Sequence, residues 1–180
     1  MPETPVYGWP YHALTDPPDG ADLGEDLALA IEATVQAEVA ALDAASDAAH
    51  AALTAQITPS VATVATSQTT TSTSYADLAT VGPAVTVTTG TRALVIVTCR
   101  MRNNTGVNLN RMSFGVTGAT TSVADDTRAL EHEGNTWQRA STVHMMTGLT
   151  AGSNTFTAKY KTAAGTAVFE DRQIIVIPLP

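Results

Sequence analysis

The chain has 180 residues, of which 44% are hydrophobic and only 14% charged, with a net charge of −8 and a single cysteine. That length allows one or two small domains, and one cysteine excludes an intrachain disulfide and a cysteine-based zinc site. All nine basic residues lie at or beyond Arg92, whereas residues 1–91 carry eleven carboxylates and no Lys or Arg; this split marks two modules in different surroundings and argues against wrapping nucleic acid, which needs clustered cations.

Residues 1–22 are punctuated by Pro2, Pro5, Pro10, Pro17 and Pro18 around Tyr7-Gly8-Trp9-Pro10-Tyr11. Prolines at this density forbid a helix and favour extended or turn conformations. The three aromatic rings have no local core to enter. One reading is a disordered tail; the preferred one is a docking peptide in which Tyr7, Trp9, Pro10 and Tyr11 fill pockets on a partner, as aromatic anchors do. The N-terminus lacks a basic region followed by an apolar run, so no secretory leader is expected. No stretch approaches the 18 or so apolar residues of a membrane span.

Residues 23–57 read as one long helix. Alanine is abundant, proline is absent, and Asp19 or Asp22 offers an N-cap, with Glu25 and Asp26 in the first turn where the helix dipole favours negative charge. Its apolar stripe is Ile31, Val35, Val39, Leu42, Ala49, Leu53 and Ile57, with Ser46 interposed. Ile31, Leu42 and Leu53 recur every eleven residues, which fits a nearly straight or slightly right-handed bundle better than a tight left-handed zipper. Such a rod must bury its stripe against something. Self-association as an oligomeric stalk, a homotrimer, is the simplest answer, and packing on the chain's own C-terminal domain is the alternative. Residues 58–74, rich in Ser and Thr, read as a neck or linker.

From residue 75 to 180 short runs alternate with turns. Ala84–Thr89, Arg92–Arg102, Val107–Thr117, Thr136–Thr147, Thr155–Thr162, Ala167–Phe169 and Gln173–Leu179 are the predicted strands. Spacing of this kind predicts an antiparallel β-sandwich or jelly roll. The apolar runs near residues 95 and 175 are expected as central strands, one in each sheet. Trp137, Val143 and Met145 share a face of their strand, and Phe156, Ala158 and Tyr160 share a face of theirs. The fold class is therefore α+β in separate modules.

Chemistry is sparse. Glu131-His132-Glu133 is the one cluster with metal-ligand residue types, but on a strand its members point to opposite faces, so no metal is expected. Asp125-Asp126 reads as a polar loop in preference to a surface calcium site. No phosphate-binding glycine loop or nucleophile elbow occurs, so neither cofactor nor enzymatic activity is expected. Arg100, Arg102 and Arg111 are candidate surface-binding residues for an anionic glycan or an acidic neighbour, with solvated strand ends as the plainer reading. Trp137 and Tyr160 are either core residues or sugar-stacking platforms.

Two stretches resemble known families. TPVYGWPYHALTDPPDGADLGEDLALAIEATV resembles the opening of minor tail and fibre-like virion proteins of phages that infect actinobacteria, in which a Tyr-Gly-Trp-Pro-Tyr segment and an Asp-Pro-Pro-Asp-Gly turn precede an Ala-rich acidic helix. GLTAGSNTFTAKYKTAAGTAVFEDRQIIVIPLP looks like the last hairpin and closing strand of jelly-roll heads similar to the tumour-necrosis-factor and complement-C1q class. The resemblance implies a virion component, a minor tail or fibre protein. Residues 1–22 would join it to other virion proteins, and a trimeric head would face host-surface glycan. A capsid head-fibre or decoration protein and a free-standing carbohydrate-binding module are the alternatives.

Overall fold

The computed structural model describes residues 20–180, with side chains from residue 24 onward except 55 and 56. The docking peptide, including Tyr7, Trp9, Pro10 and Tyr11, and the N-cap candidate Asp19 lie outside the described residues.

Helix α1 spans Gly20–Ile57. It begins ahead of Asp22, which is therefore a helical residue and not the cap. Local hydrogen bonds support it: the Thr34 hydroxyl donates to the Ala30 carbonyl at 2.8 Å, and Gln36 donates to Glu32 at 3.0 Å. At its end the Thr58 hydroxyl donates to the Thr54 carbonyl at 2.7 Å, and Pro59 cannot continue the ladder. Of the stripe, Val35, Val39, Leu42, Ala49, Leu53 and Ile57 are exposed, Leu42 by 70%, and Ile31 is half-buried.

The remaining elements are strands β1 (Ser60–Val64), β2 (Gln68–Thr70), β3 (Ala84–Thr89), β4 (Arg92–Asn103), β5 (Leu109–Gly118), β6 (Leu130–Glu133), β7 (Gln138–Thr147), β8 (Gly152–Thr162) and β9 (Ala167–Leu179). A 3₁₀ turn, Asp126–Arg128, precedes β6. Every pairing is antiparallel. One sheet has the order β1-β9-β4-β7 with β2 also on β9, and the other has the order β3-β8-β5-β6. The C-terminal region is thus a β-sandwich-like fold with the expected alternation.

Two expectations are corrected. The Ser/Thr-rich stretch at 58–74 is not a free neck, because β1 and β2 lie along β9 in register Val61 to Ile175 and Thr69 to Val168. Low-complexity composition gives a segment no core of its own, but backbone groups can still complete a sheet supplied by residues a hundred positions away. The two apolar strands near 95 and 175 do not occupy separate sheets either. β4 and β9 are neighbours in one sheet, paired from Arg92 with Leu179 to Asn103 with Ala167.

The core lies between the sheets. Val95, Val97, Met101, Phe169, Ile174 and Val176 face Met112, Phe114, Val116, Phe156, Ala158 and Tyr160. Phe114 and Phe156 are 6.2 Å apart between ring centroids, and Tyr160 and Phe169 are 4.9 Å apart, within the range for tilted aromatic pairs. Buried asparagines are satisfied by neighbouring strands and loops. Asn103 donates to Asn110 at 3.0 Å and to the Ala164 carbonyl at 3.0 Å, while Asn154 donates to Thr89 at 2.8 Å and accepts from the Thr120 amide at 2.7 Å. These asparagines tie the turns at opposite ends of the four-stranded sheet to its strands.

Candidate functional site

The outer face of the four-stranded sheet carries a groove of about 810 Å³. Strict alternation places it there. Along β5 the side chains of 110, 112, 114 and 116 enter the core, and along β8 those of 156, 158, 160 and 162 do so, leaving 115, 117, 157, 159 and 161 as the floor. One wall is Thr73–Asp77, held to β8 by reciprocal backbone bonds between Ala76 and Tyr160 at 3.0 and 2.9 Å. The other is Thr121–Ala124, held to β5 by reciprocal bonds between Val116 and Ser122 at 2.7 and 2.9 Å. Gly115 permits that close approach, since a Cβ there would sit 3.3 Å from the Ser122 carbonyl oxygen.

The second wall stands on a buried cation. Arg128 donates to the Ser122 hydroxyl at 3.0 Å and to the Val123 carbonyl, lies 3.4 Å from Asp125, and sits 5.0 Å above the Phe114 ring. One end of the groove is closed by a bridge across the sheet. The Tyr75 hydroxyl donates to Asp126 at 2.8 Å, Lys161 pairs with Asp126 at 2.7 Å, and Arg111 pairs with Glu131 and lies 3.4 Å from Asp126. The Lys161 ammonium is also 4.7 Å from the Tyr75 ring centre.

Titration follows from this wiring. The hydrogen bond from Lys161, joined by that from Tyr75, holds Asp126 below the usual carboxylate range. The hydrogen bond from Thr127 lowers Asp125. Burial, reinforced by the bond to Asp126, pushes the Tyr75 phenol up. Lys159 on the floor is paired with both oxygens of Asp77 at 2.8 Å. The charges that line the groove are therefore compensated, and it presents chiefly hydroxyls (Thr73, Ser74, Thr117, Thr121, Thr157), one tyrosine and small apolar side chains. Such a surface offers many weak donors and acceptors beside apolar patches.

The residues singled out in the sequence are not brought together. Arg111 borders this groove, whereas Arg100 and Arg102 lie on β4, on the outer face of the other sheet. There both guanidiniums stack over Trp137, at 4.6 and 4.7 Å, and Arg100 pairs with Glu170. Trp137 is a half-buried platform for those cations. Tyr160 is fully buried and donates to the Gly82 carbonyl at 2.9 Å, so it is a core residue and not a sugar platform. Glu131 is spent on Arg111, and His132 contacts the Thr136 carbonyl at 3.1 Å. Asp125 accepts from Thr127 at 2.9 Å and caps the 3₁₀ turn. Cys99 is buried, which pushes its thiol up to about 12. Sequence reading missed Tyr75, Asp77, Arg128 and Lys159. Only the alternation of β8 pointed to Lys159 and Lys161 as outward residues.

No protein-family model matches the chain, and no curated protein matches it. Among solved structures it is similar to infectious bursal disease virus, Gt strain, at 11% identity and a TM-score of 0.48, over 67% of this chain and 32% of that one. It is also similar to CBM35 from Cellvibrio japonicus Abf62, at 17% identity and a TM-score of 0.34, over 68% of this chain and 95% of that one. A third similarity is to the carbohydrate-binding module CBM6cm-2 from Cellvibrio mixtus lichenase 5A, at 16% identity and a TM-score of 0.33, over 66% and 98%. The chain thus spans about a third of the viral chain it matches.

Proposed function

We propose that this protein is a binding and structural component rather than a catalyst: a fibre-like virion part whose β-sandwich takes a neutral saccharide of a host surface in the groove between Tyr75 and Val123. The groove carries this reading. It is preformed, because both walls are bonded to the sheet, and its ions are already paired. Hydroxyl-rich, charge-compensated surfaces beside a tyrosine suit a ligand that is itself amphipathic and uncharged. The virion setting rests on the N-terminal resemblance, with residues 1–22 as the docking segment, and on the exposed stripe of α1 as an oligomeric stalk.

Glycan-array screening of the full chain, followed by calorimetry on any retained saccharide, tests the assignment. Thr157→Phe, which would fill the floor, and Tyr75→Ala are each expected to weaken binding at least about tenfold, the equivalent of 1.4 kcal/mol. Retention of no saccharide, or unchanged binding by both variants, would reject the groove as the site.

A further inference from the structure

The outer face of the five-stranded sheet is aliphatic. Register places Val61, Ile175, Ile96 and Val143 in one unbroken row across β1, β9, β4 and β7, and Ile177, Leu94 and Met145 in a second. Val61 is 55% exposed, Val143 57% and Met145 46%, and the other four are partly exposed. The first row crosses four strands, roughly 14 Å at about 4.8 Å per strand. These seven side chains display on the order of 300–400 Å² of apolar surface, judged from the area that burying one such side chain removes from water. A contiguous patch of that size on a sheet face marks a contact surface.

We infer that this face is an interface between β-sandwiches of two copies of this chain. Three observations select a second copy. First, the two rows contain no charge, so identical faces can meet without burying an unpaired ion, which would cost several kcal/mol. Second, the apolar rows are flanked by neutral polar residues, Thr98, Ser141 and Gln173, and then by the Arg139–Asp171 ion pair. Apolar centre and polar rim are the anatomy of a protein interface. A stable one needs roughly 800 Å² per partner, about twice this patch, so the rim and a second contact must contribute. Third, the chain supplies that second contact nearby in sequence. Only Thr58, Pro59 and Ser60 separate Ile57, the last residue of the exposed helical stripe, from Val61, the first of the aliphatic row. Association of α1 between copies tethers their β1 strands and raises the effective concentration of one face for the other. In a two-copy assembly the helix and the sheet face then reinforce each other, since a face that meets its own copy closes at two.

A photo-crosslinking phenylalanine placed at position 143 of the full chain tests this directly. The expected product is a covalent dimer whose cross-linked peptides map to residues 60–64, 94–96, 143–145 or 175–177 of the other copy. Cross-links within one chain to α1, cross-links to another face, or none at all would overturn the proposal. Independently, Val143→Lys at this exposed position is expected to raise the dissociation constant of the assembly at least about tenfold by sedimentation. An unchanged constant with an intact circular-dichroism spectrum would count against it.

Discussion

At the scale of single residues, Asp126 connects the groove's chemistry to its shape. Its carboxylate receives Tyr75, Lys161 and Arg111, so the closed end of the groove depends on its being ionised. A carboxyl whose native pKa is depressed contributes stability that is fully present above the unfolded value near 3.9 and is lost as pH falls through the lower native value. Asp125 acts in the same direction through Thr127. The melting temperature is therefore expected to fall as pH drops from about 4 toward the native value of these carboxyls. Asp126→Asn should melt lower at neutral pH, by a loss under about 1 kcal/mol because the network is partly solvent-screened. It should also show a shallower acid slope. Scanning calorimetry between neutral and acid pH measures both, and parallel pH profiles for the two proteins would show that Asp126 is not the linked group.

At the scale of elements, Arg172 explains how β2 joins the sheet. It is fully buried, donates to Gln68 at 3.0 Å, approaches the Thr66 and Gly82 carbonyls at 3.4 Å, and lies 5.3 Å from the centre of the Tyr160 ring. The guanidinium thus adds side-chain bonds to the segment 66–68, whose Gln68 already pairs with β9 through the backbone, and joins it to the Gly82 carbonyl. Arg172→Ala would open a cavity beside Tyr160 and remove one donor from the buried Gly82 carbonyl, and is expected to cost about 3 kcal/mol in urea unfolding. Arg172→Met keeps the volume and should cost less, since a well-packed apolar isostere often replaces a buried ion at little loss. Equal midpoints for the Ala variant and the parent would show that β2 is held by its backbone bonds alone.

At the scale of the whole molecule, two exposed apolar surfaces need an explanation that the core does not supply. The sandwich has a core of its own, running from Leu78 to Val176 among the described residues, and the stripe of α1 carries exposed apolar side chains such as Val39 and Leu42. If the proposed stalk is right, Val39→Lys with Leu42→Lys should lower the oligomer's mass in equilibrium sedimentation while leaving the melting of the sandwich within about 0.5 kcal/mol, as for surface changes in general. Deletion of residues 1–22 should leave the number of copies in the oligomer unchanged, since docking and self-association are assigned to different segments. A monomeric parent protein would remove the stalk altogether.

What the sequence determined by itself was local. The helix was legible because alanine content, the absence of proline and the Thr58-Pro59 stop act within a few residues of one another. Strands such as β8 were legible because Phe156, Ala158 and Tyr160 alternate with polar neighbours, and a period of two needs no partner to be read. That Val143 and Met145 share a face was legible in the same way, but nothing local said that this face points away from the core. Tertiary structure alone decided which strands are neighbours, that β4 and β9 share a sheet, and that the Ser/Thr stretch belongs to it. It also decided that Arg128 and Arg172 are buried and that Tyr75 reaches Asp126 to close a groove. The physical reason is the same in each case: hydrogen-bond partners and the far side of a sheet come from residues tens to a hundred positions away, and their contribution appears only once the chain has paired them.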